Sequence, residues 1–266
     1  MDRQQLLQEI AHKEKNGIFV VTAPTAISAN KIVAKVLENY CDSKTALFLS
    51  GGSTPVKLYK EITAEKSLKI GAALMVDERF GEKLHKKSNE LMIKNTGLLK
   101  YFESRNVRFY PIIVEEESLE NTALQYDEAL RFLLKYFPKT VGLLGLGEDG
   151  HTAGLPSGNQ KSNLKNQNLI DTNKRILEDQ SSLVTFYNEE DGKYGARITM
   201  TYLALSQLDL ILILVLGQEK REALKLMFAA RSTSSGQEGS IEEIPSRFYL
   251  QPKIAAKTIL ITDQIA

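Results

Sequence analysis

The amino-acid sequence predicts an α/β fold, a doubly wound and mainly parallel sheet with helices on both faces, with residues 1–266 forming a single domain. Three observations predict it. Short continuous apolar runs such as Ala46-Leu-Phe-Leu and Leu210–Leu216 show no polar alternation, the mark of strands buried on both faces. Amphipathic stretches of helical period lie between those runs, as crossovers between parallel strands require. Glycine-rich turns follow several runs, at the carboxyl ends where open α/β sheets collect ligands.

Taken in order, Met1–Ile10 is polar and helix-like, and Ile18–Thr22 is the first strand-like run. Ala26–Asn39 carries apolar residues at helical spacing, and Ala46–Ser50 is a second strand. A helix from Pro55 to about Ile62 follows, then a strand at Ala72–Val76 and a helix over Asn89–Tyr101. Val107–Ile113, the helix Leu119–Phe137 and the strand Val141–Gly145 continue the alternation. Leu183–Tyr187 and Leu210–Leu216 read as strands, Glu219–Ala229 as a helix and Thr258–Thr262 as the closing strand. Pro156–Asn168 and Ser232–Glu243 are poor in apolar residues and read as surface loops within the domain, since strands continue on either side.

Composition excludes several classes of function. Lys and Arg number 34 against 33 Asp and Glu, so no overall field favours nucleic acid or an anionic membrane. An anionic ligand must be held by a local site. The longest apolar run, Leu208–Gly217, is too short to span a bilayer and contains Asp209. Cys41 is the only cysteine, which excludes an internal disulfide and a cysteine metal cluster. With no apolar signal core at the N-terminus, a reducing cytoplasm and a monomer or small homo-oligomer are expected.

Three motifs carry chemistry. In Ser50-Gly51-Gly52-Ser53-Thr54-Pro55, two glycines let the backbone approach a ligand closely. Thr54 is expected to cap the following helix, with Pro55 at its first position. The free amides and the hydroxyls of Ser50, Ser53 and Thr54 make an anion site. No Gly-Lys-Ser/Thr follows, so phosphate is expected and nucleotide is not. Asp77-Glu78-Arg79 ends a strand: Asp77 suits a proton acceptor or hydroxyl anchor, and Arg79 suits an anion. His85 and Ser88-Asn89 can reach the same face, and Asn89 equally suits a helix cap.

The third motif, Gly145-Leu-Gly147-Glu-Asp149-Gly150-His151-Thr152, matches a dinucleotide fingerprint, and Asp171 stands where a ribose-binding acid is sought. Pro156, Gly158 and an aperiodic polar run follow instead of the helix that fingerprint must open, so no dinucleotide is expected. What remains is a loop presenting His151 beside Asp149, suited to a general base that activates water. The three histidines at 12, 85 and 151 are scattered and form no metal site. Arg197 and Lys220 each follow or adjoin strands and are candidates to close on a phosphate.

Together, in this order and spacing, these motifs resemble the 6-phosphogluconolactonases within the glucosamine-6-phosphate isomerase/deaminase superfamily, from about Ile18 to Asp263. The resemblance implies hydrolysis of 6-phosphogluconolactone in the oxidative pentose phosphate route, without cofactor or metal. It assigns His151 as the base, Asp149 as its partner and Asp77 as a hydroxyl or water anchor. Arg79 would serve the oxyanion or the phosphate, and Ser50–Thr54, Arg197 and Lys220 the 6-phosphate. The deaminase branch carries a glutamate five residues after the loop histidine, where this chain has Pro156. A sugar-phosphate sensor is the other alternative, though no helix-turn-helix segment is apparent. Gly154-Leu155-Pro156-Ser157 departs from the Ser-Leu-Phe-Pro more usual in lactonases.

Overall fold

The computed structural model describes residues 3–115, 117–159, 166–188, 195–229 and 239–264. Its strands in chain order are β1 Lys13–Lys15, β2 Ile18–Thr22, β3 Thr45–Leu49, β4 Ala72–Met75, β5 Asp77–Arg79 and β6 Arg108–Tyr110. They continue with β7 Lys139–Gly145, β8 Val184–Tyr187, β9 Arg197–Met200, β10 Leu210–Val215 and β11 Thr258–Thr262. The main sheet is eight-stranded in the order β1-β2-β11-β10-β7-β3-β4-β6. Every pairing in it is parallel except β1 with β2.

The apolar runs explain this centre. In β10 every residue is buried, and Leu210, Ile211, Leu212 and Ile213 are each 0% exposed. Burying such side chains contributes roughly 1.5–3 kcal/mol each, which a strand covered on both faces collects along its whole length. Several helices are started by local side chains. Thr25 and Ser28 form a reciprocal capping box ahead of Ala26–Tyr40, and Ser118 caps Leu119–Tyr136.

From β3 the chain winds through β4 to β6 toward one edge; from β7 it winds through β10 to β11 toward the other. Right-handed crossovers therefore put Ala26–Tyr40, Val56–Glu65, Asn89–Asn95 and Leu98–Ser104 on one face. Leu119–Tyr136 and Arg221–Phe228 lie on the other. The reversal of strand order falls between β3 and β7, so their carboxyl ends flank a crevice.

Several sequence expectations need correction. Leu183–Tyr187 is not part of the main sheet: β8 pairs antiparallel with β9, which pairs antiparallel with β5. A three-residue strand and a polar-rich one give too little periodicity to announce this second sheet. The expected helix Asn89–Tyr101 is two helices, divided at Gly97, whose φ of 86° leaves the helical region. Val107–Ile113 shortens to β6, since Pro111 has no N–H for a ladder. Thr54 does not cap its helix; Pro55 holds the N-cap position with no side-chain bond, and Val56 begins the helix. Asn166 caps a helix at Gln167–Glu178, so the loop expected over Pro156–Asn168 ends early. Within the two expected loops, residues 160–165 and 232–238 lie outside the described residues.

Candidate active site

A cleft of about 650 Å³ opens at the switch point. Its lining includes Ser50, Gly51, Gly52, Ser53, Thr54, Asp77, Arg79, Asp149, His151, Arg197 and Lys220, so the fold brings together the residues that the resemblance assigns to chemistry and to phosphate, and Asn89 lies among them. His85 and Ser88 stay behind the wall. His85 Nε2 meets Arg79 O at 2.9 Å, and Ser88 Oγ donates to Glu78 Oε2 at 2.9 Å.

The Ser50–Pro55 turn leaves β3 toward the helix Val56–Glu65. Ser50 N–H donates to Leu143 O at 3.2 Å, and Ser50 O accepts from the buried Tyr59 hydroxyl at 2.8 Å. Both bonds pin the turn to the core. Among the described residues the amides of Gly51, Gly52, Ser53 and Thr54 donate to no protein group, and Ser50 Oγ is buried without a partner. Such unpaired donors at a helix start favour an anion.

β5 peels away from the main sheet directly after Val76, whose N–H still bonds Leu49 O and whose O accepts from Met200 N–H. That departure carries Asp77 and Arg79 into the cleft. Glu78 points the other way and is buried. Its carboxylate accepts from the amides of Arg79, Asn89 and Glu90 and from the Ser88 hydroxyl. Burial raises its carboxyl above the usual range against those four bonds. Asp77 Oδ2 accepts from Arg197 Nη1 at 3.2 Å and from Asn89 Nδ2 at 3.0 Å, while its Oδ1 has no protein partner among the described residues. Arg197 is therefore ion-paired as well as cleft-lining, with its side chain 6% exposed. Lys220 ends the short 3-10 turn Gln218–Lys220 beyond β10 and makes no ion pair among the described residues. It precedes the helix Arg221–Phe228, which begins two residues later than the helix expected over Glu219–Ala229.

The loop after β7 presents His151. Gly147 N–H donates to His151 O at 2.8 Å, and a Cβ on Gly147 would stand 2.0 Å from the imidazole, so only glycine leaves that ring its place. Asp149 Oδ1 lies 2.6 Å from His151 Nδ1 and also accepts the His151 amide. Burial alone would raise the Asp149 carboxyl; the imidazole and the amide of His151 outweigh it and hold it below the usual carboxylate range. With Nδ1 occupied, Nε2 faces the cleft with no protein partner among the described residues.

Sequence reasoning did not find what steadies this loop. Thr152 Oγ1 donates to Gly145 O at 2.7 Å and meets Tyr249 Oη at 2.7 Å. Tyr187 Oη donates to Gly154 O at 2.6 Å, and Thr199 Oγ1 donates to Ala153 O. The Gly154–Ser157 departure has physical uses here. Ser157 Oγ donates to Asp149 O at 2.8 Å, and Gly154 has φ of 70° with its α-carbon against Asp77. A Cβ there would meet Asp77 Cβ at 2.6 Å. Gly154→Ala is thus expected to lower stability by about 1–3 kcal/mol in urea denaturation; an unchanged midpoint and slope would show that the loop yields freely.

Among the described residues, no three or more His, Cys, Asp or Glu side chains gather as a metal site would need. No described helix is long and apolar enough to cross a membrane.

Comparison with known proteins shows the fold and the family. The structure superimposes on the 6-phosphogluconolactonase from Plasmodium vivax with a TM-score of 0.74 at 21% identity, covering 100% of this chain and 97% of that one. For a 6-phosphogluconolactonase from Shewanella baltica the TM-score is 0.70 at 21% identity, over 94% and 97%. At such identities the likeness is one of fold. In sequence, the chain is 30% identical over 213 residues to a 6-phosphogluconolactonase of Nostoc sp., covering 77% of each. The model of one family, described as glucosamine-6-phosphate isomerases/6-phosphogluconolactonase, matches residues 22–253. The crevice at the strand reversal, its amide-lined turn and its histidine loop are therefore features of a chain that belongs to the glucosamine-6-phosphate isomerase/6-phosphogluconolactonase family.

Proposed function

We propose that this chain hydrolyses 6-phospho-D-glucono-1,5-lactone to 6-phosphogluconate, with His151 as general base. One observation carries the reading: a cleft-facing imidazole whose Nδ1 is held by Asp149 at 2.6 Å, opposite an unpaired amide turn suited to phosphate. In this reading His151 Nε2 accepts a proton from water as its oxygen bonds to the lactone carbonyl carbon. The tetrahedral oxyanion then collapses, the bond from that carbon to the ring oxygen breaks, and the proton passes to the ring oxygen as it becomes a hydroxyl. The new carboxylic acid ionises and releases a proton to solvent.

Asp149 fixes the ring and stabilises its cationic form, as the acid of a triad does. Asp77 Oδ1 accepts from a sugar hydroxyl or water. Arg79 faces the oxyanion or the phosphate. The Ser50–Thr54 turn, Arg197 and Lys220 hold the 6-phosphate and so align the ring with His151. Deamination is disfavoured because the position five residues after His151 is Pro156, which lines the cleft and transfers no proton. We place the reaction in the cytoplasm. Cys41, whose thiol burial pushes up to about 12, is inert there.

The direct test is incubation with freshly generated lactone while acid release is followed beyond the spontaneous rate. No acceleration would end this reading. Exhaustive chelation is expected to leave turnover unchanged, since water activation is assigned to an imidazole. Loss of activity restored by zinc would replace the mechanism with a metal-hydroxide one.

A further inference from the structure

The amide turn and the Asp77 carboxylate leave different strands, and one side chain touches both. Asn89 is the first residue of the helix Asn89–Asn95, behind the Ser88 cap, and is 1% exposed. Its Nδ2 donates to Asp77 O and to Asp77 Oδ2, each at 3.0 Å. Its Oδ1 is buried and has no hydrogen-bond partner among the described residues. That amide lies against Gly51: a Cβ on Gly51 would stand 1.9 Å from Asn89 Oδ1 and 2.1 Å from its Cγ. Gly51 is not among the residues with positive φ, so its backbone accepts an L side chain. Glycine is needed at 51 for space, not for conformation.

Asn89 is therefore a rigid wedge between the two ends of the cleft. On one side it sets how closely the turn approaches. On the other it shares Asp77 Oδ2 with Arg197, which leaves Oδ1 as the oxygen offered to the cleft.

We propose that Asn89 is a positioning residue that couples the Ser50–Pro55 turn to the Asp77 carboxylate, setting the span across which a bound sugar phosphate is held. The proposal rests on the functional reading above. Gly51→Ala, Asn89→Ala and the double variant test it, with thermal melts as a check on folding. Gly51→Ala is expected to raise KM for the phosphorylated lactone about tenfold, because its methyl group collides with the Asn89 amide. In the double variant the truncated side chain at position 89 vacates that space, and KM returns to within about threefold of Asn89→Ala alone.

Asn89→Leu keeps the wedge and removes the donor to Asp77. It is expected to leave KM within about threefold of wild type while kcat falls about tenfold. A double variant whose KM is the product of the two single effects would overturn the coupling, as would an Asn89→Leu protein with wild-type kcat. Binding of inorganic phosphate, measured by calorimetry on the same set, separates the two readings. A wild-type protein inactive on the lactone would sink the functional reading alone, while weakened phosphate binding in Gly51→Ala, recovered in the double variant, would still uphold the coupling. Phosphate binding equally impaired in Gly51→Ala and in the double variant would refute it.

Discussion

His151→Gln is expected to lower turnover by about 10²–10⁴-fold, the usual contribution of a general base. Glutamine occupies similar space and can still donate toward Asp149, so the loop should keep its shape. It cannot accept the proton of the attacking water. Affinity for 6-phosphogluconate, read by calorimetry, should change little, since no phosphate contact is assigned to His151. The wild-type rate should fall toward acid pH, because an imidazole must be neutral to act as a base. The variant should lose that limb. Steady-state kinetics across pH, corrected for spontaneous lactone opening, decides the matter. A His151→Gln protein with near-normal turnover would return the imidazole to a purely structural role.

The second large effect concerns the phosphate. Charge-assisted contacts to a phosphate are worth roughly 1.5–3 kcal/mol each, so losing one raises KM by about one to two decades. Lys220→Ala is the cleaner test, because Lys220 makes no ion pair among the described residues. Arg197→Ala should raise KM at least as far and erase most of the preference for phosphorylated over plain gluconolactone. It should also cost about 3–5 kcal/mol of stability, since Arg197 Nη1 neutralises Asp77 across a buried 3.2 Å contact. Kinetics below the melting transition and a urea titration separate the two consequences. An unchanged substrate preference in Arg197→Ala, with normal KM in Lys220→Ala, would remove both cations from the phosphate site.

Much of this protein is legible in one dimension. Continuous apolar runs gave away β2, β3, β4, β7, β10 and β11, because strands buried on both faces tolerate no polar alternation. The Ser50–Pro55 turn and the loop around His151 were legible because tight turns and close approach demand glycine locally. Even the failed dinucleotide match was informative, since Pro156 and Gly158 broke the helix that it needed. Asp149 beside His151 was legible for the same reason of proximity: two residues apart on one turn, they meet whatever the rest of the fold does.

The contacts that crossed the chain were not legible. Asp77 and Arg197 are 120 positions apart, and their pairing depends on β5 leaving one sheet to join β9 in another. Arg197, read from sequence as a phosphate ligand alone, is the counter-ion of Asp77 in the fold. Asn89, read as a cap or a cleft residue, left the cap to Ser88 and bonded Asp77. Tyr187 and Tyr249 gave no signal, as a buried aromatic looks the same whether or not its hydroxyl secures a loop. Sequence by itself determined the fold class, the six strands named above and the groups that come to line the cleft, all set by burial pattern and local turn chemistry; the short polar β1 gave no apolar run to find. Only the tertiary structure decided which of those groups hold one another, because buried charges and donors must be satisfied by neighbours that folding supplies from far along the chain.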